Sequence, residues 1–165
     1  MKAIVVYESL WGNTAAIARA IAEGIGPDAQ ALPTDQATDA IIAEADLIVA
    51  GAPVHAFALP TEGMRNNLGQ HTAKAPTPPD LSHPSMRSWL SKLPKGDGRS
   101  AAFETRLRWS PGGATAAITR GLKRAGFSPV AKRERFIVKG GYGPLRDGEL
   151  DRARAWGAEL ARARK

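Results

Sequence analysis

Apolar residues in this chain come in two rhythms that alternate along it. Residues 3–7, Ala-Ile-Val-Val-Tyr, form an unbroken run of the length and type expected for a strand buried on both faces. From residue 14 the rhythm changes, and Ile17, Ala18, Ile21 and Ala22 share one helical face. Gly-Ile-Gly-Pro at 24–27 stops that helix, with glycine near the C-cap and proline just beyond. Residues 29–32 predict a second strand and 35–45 a short helix with Asp39 near its start. Residues 46–51 give the clearest strand after the first, again apolar and again ending at a glycine.

The second half repeats the alternation less cleanly. Residues 61–68 predict a short helix, and the proline-rich stretch at 75–79 makes 70–82 an exposed loop. Met86, Trp89, Leu90 and Leu93 fall at helical spacing within 85–93 and predict a core-facing stripe. A fourth strand follows at 100–105, then a loop at 106–113, a helix at 114–125 capped by Gly126, and a fifth strand at 130–138 with an irregular start through 131–133. A glycine-rich loop at 140–144 leads to a closing helix at 149–164, with Ala153, Trp156, Leu160 and Ala161 inward. Five strands and about five helices in alternation imply right-handed crossovers and an α/β fold with a parallel sheet. The whole of residues 1–165 reads as a single domain, with no internal repeat.

Composition narrows the function classes. The chain has no cysteine, which removes disulfide and thiolate chemistry. No apolar run approaches the roughly 20 residues of a membrane span. With no charged-then-apolar leader ahead of the first strand, the cytoplasm is the expected compartment. The formal net charge is +7, unevenly placed. Residues 1–60 hold 2 Lys/Arg against 7 Asp/Glu, net −5, and residues 61–165 hold 21 against 9, net +12. A basic half raises nucleic acid as a partner, but there is no Cys-His finger, aromatic-rich RNA-binding strand or basic arm. The simpler reading is a solvated basic surface.

Chemistry is expected where strands end. In an open parallel sheet, ligands bind beyond the C-terminal strand ends, near the point where strand order reverses. Three loops arrive there: 8–14, 52–60 and 106–113. The first, Glu8-Ser9-Leu10-Trp11-Gly12-Asn13-Thr14, opens onto a helix N-terminus, which aims backbone N–H groups and the positive end of the helix dipole at one point. A phosphate suits that point, and a flat ring clamped by the other two loops would complete the ligand. Gly24-x-Gly26-x-x-Ala29 mimics a dinucleotide fingerprint, but it follows a helix instead of a strand and is rejected. His55, His71 and His83 are too dispersed to argue for a metal. The catalytic-serine elbow and the Gly-x-x-x-x-Gly-Lys-Ser/Thr phosphate loop are both absent.

These residues carry a resemblance. The run from Val5 to Thr14, with Ala18 and Ile21 beyond, resembles the phosphate-loop signature of the flavodoxins at every position. Residues 51–57 (Gly-x-Pro-x-His-Ala-Phe) and 103–106 (Phe-Glu-Thr-Arg) are similar to short flavodoxin-like proteins of bacteria. The resemblance implies a flavodoxin-like three-layer αβα sandwich with a five-stranded parallel sheet of order 2-1-3-4-5 and non-covalent FMN. It also implies that Ser9, Asn13 and Thr14 bond the phosphate by their side chains, joined by backbone N–H groups of Trp11, Gly12 and Asn13, with Leu10 in the same cofactor-binding loop. Pro53, Val54, His55, Ala56 and Phe57 then meet the ring, and Thr105, Arg106, Trp109 and Gly112 belong to the loop on its far side. Trp11, Phe57 and Trp109 are the stacking candidates.

The chain departs from the family in charge. Flavodoxins are usually acidic, whereas Arg106 and Arg108 here would stabilise a reduced, anionic ring and raise its potential. The leading expectation is an FMN-binding electron-transfer protein whose basic rim favours an acidic redox partner. Two alternatives have the same fold. One is an FMN-dependent oxidoreductase acting on a quinone or porphyrinogen-type substrate, with the 70–82 loop as a substrate wall. The other is a flavin-free binding module for an acidic partner.

Overall fold

A computed structural model describes residues 1–71 and 74–163. The chain order is β1 (Ala3–Tyr7), α1 (Asn13–Ile25), β2 (Ala29–Pro33), α2 (Asp39–Ala43), β3 (Leu47–Pro53), α3 (Glu62–Gln70), α4 (Met86–Ser91), β4 (Arg99–Leu107), α5 (Thr115–Arg124), β5 (Ser128–Pro129), β6 (Glu134–Val138) and α6 (Glu149–Arg162). The strands run parallel in the order β2-β1-β3-β4-β5, the doubly wound order expected, with β6 also paired to β4.

Strand pleat sorts the apolar runs into two cores. Ala3 and Val5 of β1, Leu47 and Val49 of β3, and Ala101 and Phe103 of β4 point to the face covered by α1 and α6. Ile4, Val6, Ile48, Ala50 and Ala102 point the other way, toward Ile42, Met86, Trp89, Ile118 and Leu122. Trp89 and Trp156 both lie in the core, as their spacing predicts. Phe103, Phe136 and Trp156 meet edge to face at 6.1–6.5 Å between ring centroids. The glycine of the rejected fingerprint has a packing role. A Cβ on Gly24 would lie 2.0 Å from the Arg154 carbonyl oxygen, and one on Gly157 would lie 2.2 Å from that of Ile21. These two glycines let α1 and α6 approach backbone to backbone.

Three expectations need correction. The fifth strand is two pieces, so the sheet has six strands in five places. β4 advances three residues from Ser100 to Phe103 while its neighbour advances five, from Pro129 to Glu134, and the surplus bulges out. The helix expected at 35–45 shrinks to Asp39–Ala43, because 34–38 is a turn in which Gln36 and Ala37 donate to the Pro33 carbonyl and Trp89 Nε1 donates to that of Ala37. β4 runs on through Arg106 and Leu107, which pair with Ile137 and Val138, so the third loop starts later than expected. Thr72, Ala73 and the expected end of the closing helix at Arg164 lie outside the described residues. No helix among the described residues is long and apolar enough to cross a membrane.

The edge formed by β6 is tied to α6 through Glu149. Its buried carboxylate accepts from the Ile137 N–H at 2.7 Å, from Arg146 at 3.0 Å and from Arg152 at 2.9 Å. Burial alone would push this carboxyl up, but the bonds from Arg152, Ile137 and Arg146 outweigh it and hold the pKa at about 2. A depressed carboxylate contributes stability that is present above its unfolded value near 4.3 and is lost as pH falls toward 2. Glu149→Gln should therefore cost about 2 kcal/mol at neutral pH. In urea denaturation the gap between the two proteins should close between about pH 5 and pH 2; a gap that stays constant with pH would refute this origin.

Candidate functional site

The strand ends place four loops around one cavity of about 240 Å³. Twelve residues singled out in the sequence line it: Ser9, Leu10, Trp11, Asn13 and Thr14 after β1, Pro53 through Phe57 at the end of β3, and Thr105 and Arg106 at the end of β4. Leu107, Ser110, Val138 and Gly141 join them. Val138 and Gly141 belong to the end of β6 and its loop, which sequence reasoning left out of the site. The signal was available, because the loop after every parallel strand reaches the same sheet edge. Gly12, Trp109 and Gly112 do not line the cavity. Trp109 stands 81% exposed on the third loop.

At the first loop the chain presents neutral donors. Gly12 has φ 90°, the left-handed conformation that turns the chain into α1. Ser9 Oγ accepts from the Gly12 N–H at 3.1 Å and the Ala15 N–H at 3.2 Å. With both lone pairs engaged, the Ser9 hydroxyl is left as a donor. Thr14 and Thr105 share one hydrogen bond at 2.8 Å between their hydroxyls, so one of the two hydrogens remains free to donate. The N–H groups of Asn13 and Thr14, at the start of α1, find no acceptor among the described residues. The Asn13 amide nitrogen donates to the Tyr142 carbonyl at 3.2 Å, which ties this loop to the one after β6. The Trp11 and Tyr142 rings meet edge to face at 4.7 Å.

A frame of buried charge holds these loops from behind. Glu8 is fully buried, pairs with Arg65 of α3 at 2.6 Å and accepts the Met86 N–H at 2.9 Å. Arg65 also donates to the His83 carbonyl at 2.5 Å, and His83 Nε2 accepts the Ser9 N–H at 3.1 Å. The stretch before His83 packs over the same loop, with Asp80 N–H donating to Leu10 and Trp11 Nε1 donating to the Thr77 carbonyl. Glu104 plays the matching part at the other end. It accepts from the Ala114 and Thr115 N–H groups, from the Thr115 hydroxyl at 3.0 Å, and from Arg106 at 2.9 Å. Arg106 also donates to the Gly112 carbonyl at 2.8 Å. Its charge is thus compensated, and Arg108 is exposed outside the cavity wall. The positive charge expected beside the ring is therefore largely neutralised on the protein side.

The middle loop is a tight hairpin. His55 and Ala58 exchange backbone bonds of 2.9 and 3.1 Å, which forces Ala56 to φ 46° and Phe57 to φ 69°. Neither residue favours that region, and the strain of about 1–3 kcal/mol each is held by the third loop. There, Gly113 N–H donates to the Phe57 carbonyl at 3.0 Å, and a Cβ on Gly112 would lie 2.0 Å from the same oxygen. Gly112 supports the hairpin instead of lining the cavity. Burial pushes the His55 imidazole below its ordinary value, with the Glu8 carboxylate pulling partly the other way.

No protein-family model matches the chain, and no curated protein matches it in sequence. Solved structures do match it in shape. A flavodoxin from the domain Archaea is similar over 98% of this chain and 97% of its own, at 24% identity and a TM-score of 0.67. Oxidised Flavodoxin 1 from Bacillus cereus is similar over 98% of both chains, at 17% identity and a TM-score of 0.65. The flavodiiron core of Flv1 from Synechocystis sp. PCC6803 matches over 98% of this chain but only 35% of its own, at 21% identity and a TM-score of 0.63. The fold is therefore flavodoxin-like.

Two outcomes follow from the site's geometry. Gly12→Ala meets no atom within 4 Å and should cost only the left-handed conformation, about 1 kcal/mol, while Gly112→Ala adds a backbone collision and should cost more than about 2 kcal/mol. Denaturation of the two variants checks the ranking, and equal losses would sink it. His55 should titrate below the ordinary value near 6.5 by NMR. Its contribution is present above 6.5 and is lost as pH falls from there toward the folded value, since the unfolded chain takes the proton first. An imidazole titrating at or above 6.5 would contradict the burial argument.

Proposed function

We propose that this flavodoxin-like chain is an FMN-binding redox protein. One observation carries the reading. Beside a cavity walled by the loops of four strands, the start of α1 offers N–H groups without acceptors, together with hydroxyl donors on Ser9 and on the Thr14–Thr105 pair. Neutral donors at a helix N-terminus suit a phosphate dianion, and the apolar walls beyond suit a flat ring. When bound, FMN supplies the electron-carrying chemistry.

The chain's own residues do the rest. Ser9 and the Thr14–Thr105 pair donate to phosphate oxygens, with the Asn13 and Thr14 N–H groups beside them. Trp11 and Phe57 offer aromatic surface to the cavity, Phe57 from a position 62% exposed at its mouth. The Ala56 and Phe57 N–H groups have no acceptor among the described residues and are the donors available on the ring side. Neutral His55 adds no charge there at pH 7. With Arg106 compensated by Glu104, the ring's potential is governed by these neutral groups more than by arginine. A redox partner then docks against the loops at the cavity mouth, where Phe57 and Trp109 are exposed. The structural neighbours, flavodoxins and a flavodiiron core, are consistent with this reading.

Titrating the apoprotein with FMN and with riboflavin, followed by flavin fluorescence, tests the proposal. Ser9→Ala and Thr14→Ala should each weaken FMN by about tenfold or more, the scale of one hydrogen bond to a charged group, and leave riboflavin unchanged. Unchanged FMN affinity in both would mean that the phosphate is held elsewhere. A wild-type apoprotein that takes up neither flavin would reject the proposal.

A further inference from the structure

Five of the chain's cations gather in one cleft, outside the lining of the cavity. Between α5 and the bulged edge of the sheet lies a cleft of about 600 Å³. Arg120 and Lys123 of α5 face Lys132 and Arg133 of the bulge and Arg135 of β6 across it, and no carboxylate lines it. All five are exposed, and none of their side chains makes an ion pair or hydrogen bond among the described residues. Five arginines elsewhere are paired: Arg65 with Glu8, Arg106 with Glu104, Arg146 with Glu149, Arg152 with Glu134 and Glu149, and Arg154 with Glu23.

Structural roles account for these charges singly but not together. Lys123 lies in the last turn of α5, where a cation complements the helix dipole. Charges and a bulge on β5–β6 blunt an open sheet edge. Neither role requires Arg120, and neither brings cations from two elements face to face without a counter-charge. Such a cluster repels itself and works against folding. We propose that the cleft docks an acidic face of a protein partner. The wall has no aromatic side chain on which bases could stack, and its concave shape offers no protruding helix or ribbon to a nucleic-acid groove. A convex acidic segment fits it in shape and charge. The cleft also adjoins the cavity. Its Thr115 bonds Glu104, whose other oxygen holds Arg106 of the cavity wall. A partner seated there lies beside the site, whatever that site holds.

The test uses the full chain as purified, with a fluorescent poly-glutamate peptide as probe and single-stranded and duplex oligonucleotides beside it. Arg120→Glu, Lys123→Glu and Arg133→Glu together reverse the cleft. Arg19→Glu, Lys92→Glu and Arg162→Glu together change net charge equally at exposed positions elsewhere. In anisotropy titrations at low salt the cleft variant should bind the peptide at least about tenfold more weakly than wild type, and the control within about twofold of it. Amide-spectrum changes in the wild type should gather in α5 and residues 130–135. The neutral set Arg120→Gln, Lys123→Gln and Arg133→Gln should give the same ranking with a denaturation midpoint no lower than wild type, which separates lost docking from lost folding. Equal losses in cleft and control variants overturn the proposal, as does tighter binding of either oligonucleotide than of the peptide. No flavin enters the assay, so it fails or succeeds independently of the cofactor proposal.

Discussion

The buried carboxylate of Glu8 sets the arrangement of the site. It sits where the chain leaves β1, fully removed from solvent, and an ion so placed costs several kcal/mol unless every oxygen is engaged. Arg65 and the Met86 N–H engage it. Meeting that demand brings α3 and the start of α4 to the end of β1 and fixes the turn at His83, whose ring takes the Ser9 N–H. The donor loop is therefore positioned by a pair that never faces the cavity. Losing Arg65 alone would leave a buried charge uncompensated, so the pair acts as a specifier of geometry more than as a source of net stability.

Glu104 repeats the device at the far wall. Its two oxygens cap the start of α5 and hold Arg106, and Arg106 holds the Gly112 carbonyl. Gly112 in turn stands against the strained hairpin at Ala56 and Phe57. Formal charges thus build the frame and are compensated within it, and apart from the compensated Arg106 the cavity is lined by hydroxyls, amides, an imidazole and apolar surface. Such a cavity favours an anion through directed N–H groups and dipoles, and these need no reorganisation when a ligand arrives.

What was legible in the sequence was local. The run at 3–7, the face made by Ile17, Ala18 and Ile21, and the strand ending at Gly51 each carry a period or a stop within a dozen residues, and they give the layer order and most of the cavity wall. The bonds from Arg65 to Glu8 and from the Ser9 N–H to His83 join positions 57 and 74 residues apart, and no periodicity marks them. In the sequence Arg106 reads as loop, because the apolar run falters at Glu104. Carried two residues further as a strand, the pleat puts Glu104 and Arg106 on one face, and their pairing follows. The split of the fifth strand had a visible cue in Lys132 and Arg133, which interrupt its alternation.

The net charge of the chain is a poor guide to its cavity. A basic half suggests cations around the ring, yet the arginine that reaches the wall is compensated, and a cluster of uncompensated cations stands instead beside α5 and the bulge. The two jobs therefore separate along the chain. The acidic first sixty residues supply the hairpin and all the neutral donors but Thr105, and the basic remainder supplies the frame's arginines and the cleft. On the proposed reading, neutral groups would hold the phosphate and leave arginine and lysine to act at the surface, where long-range attraction steers association without altering what is held inside. Because Glu104 touches both the cavity wall and the first residue of α5, the separation is one of charge and not of distance.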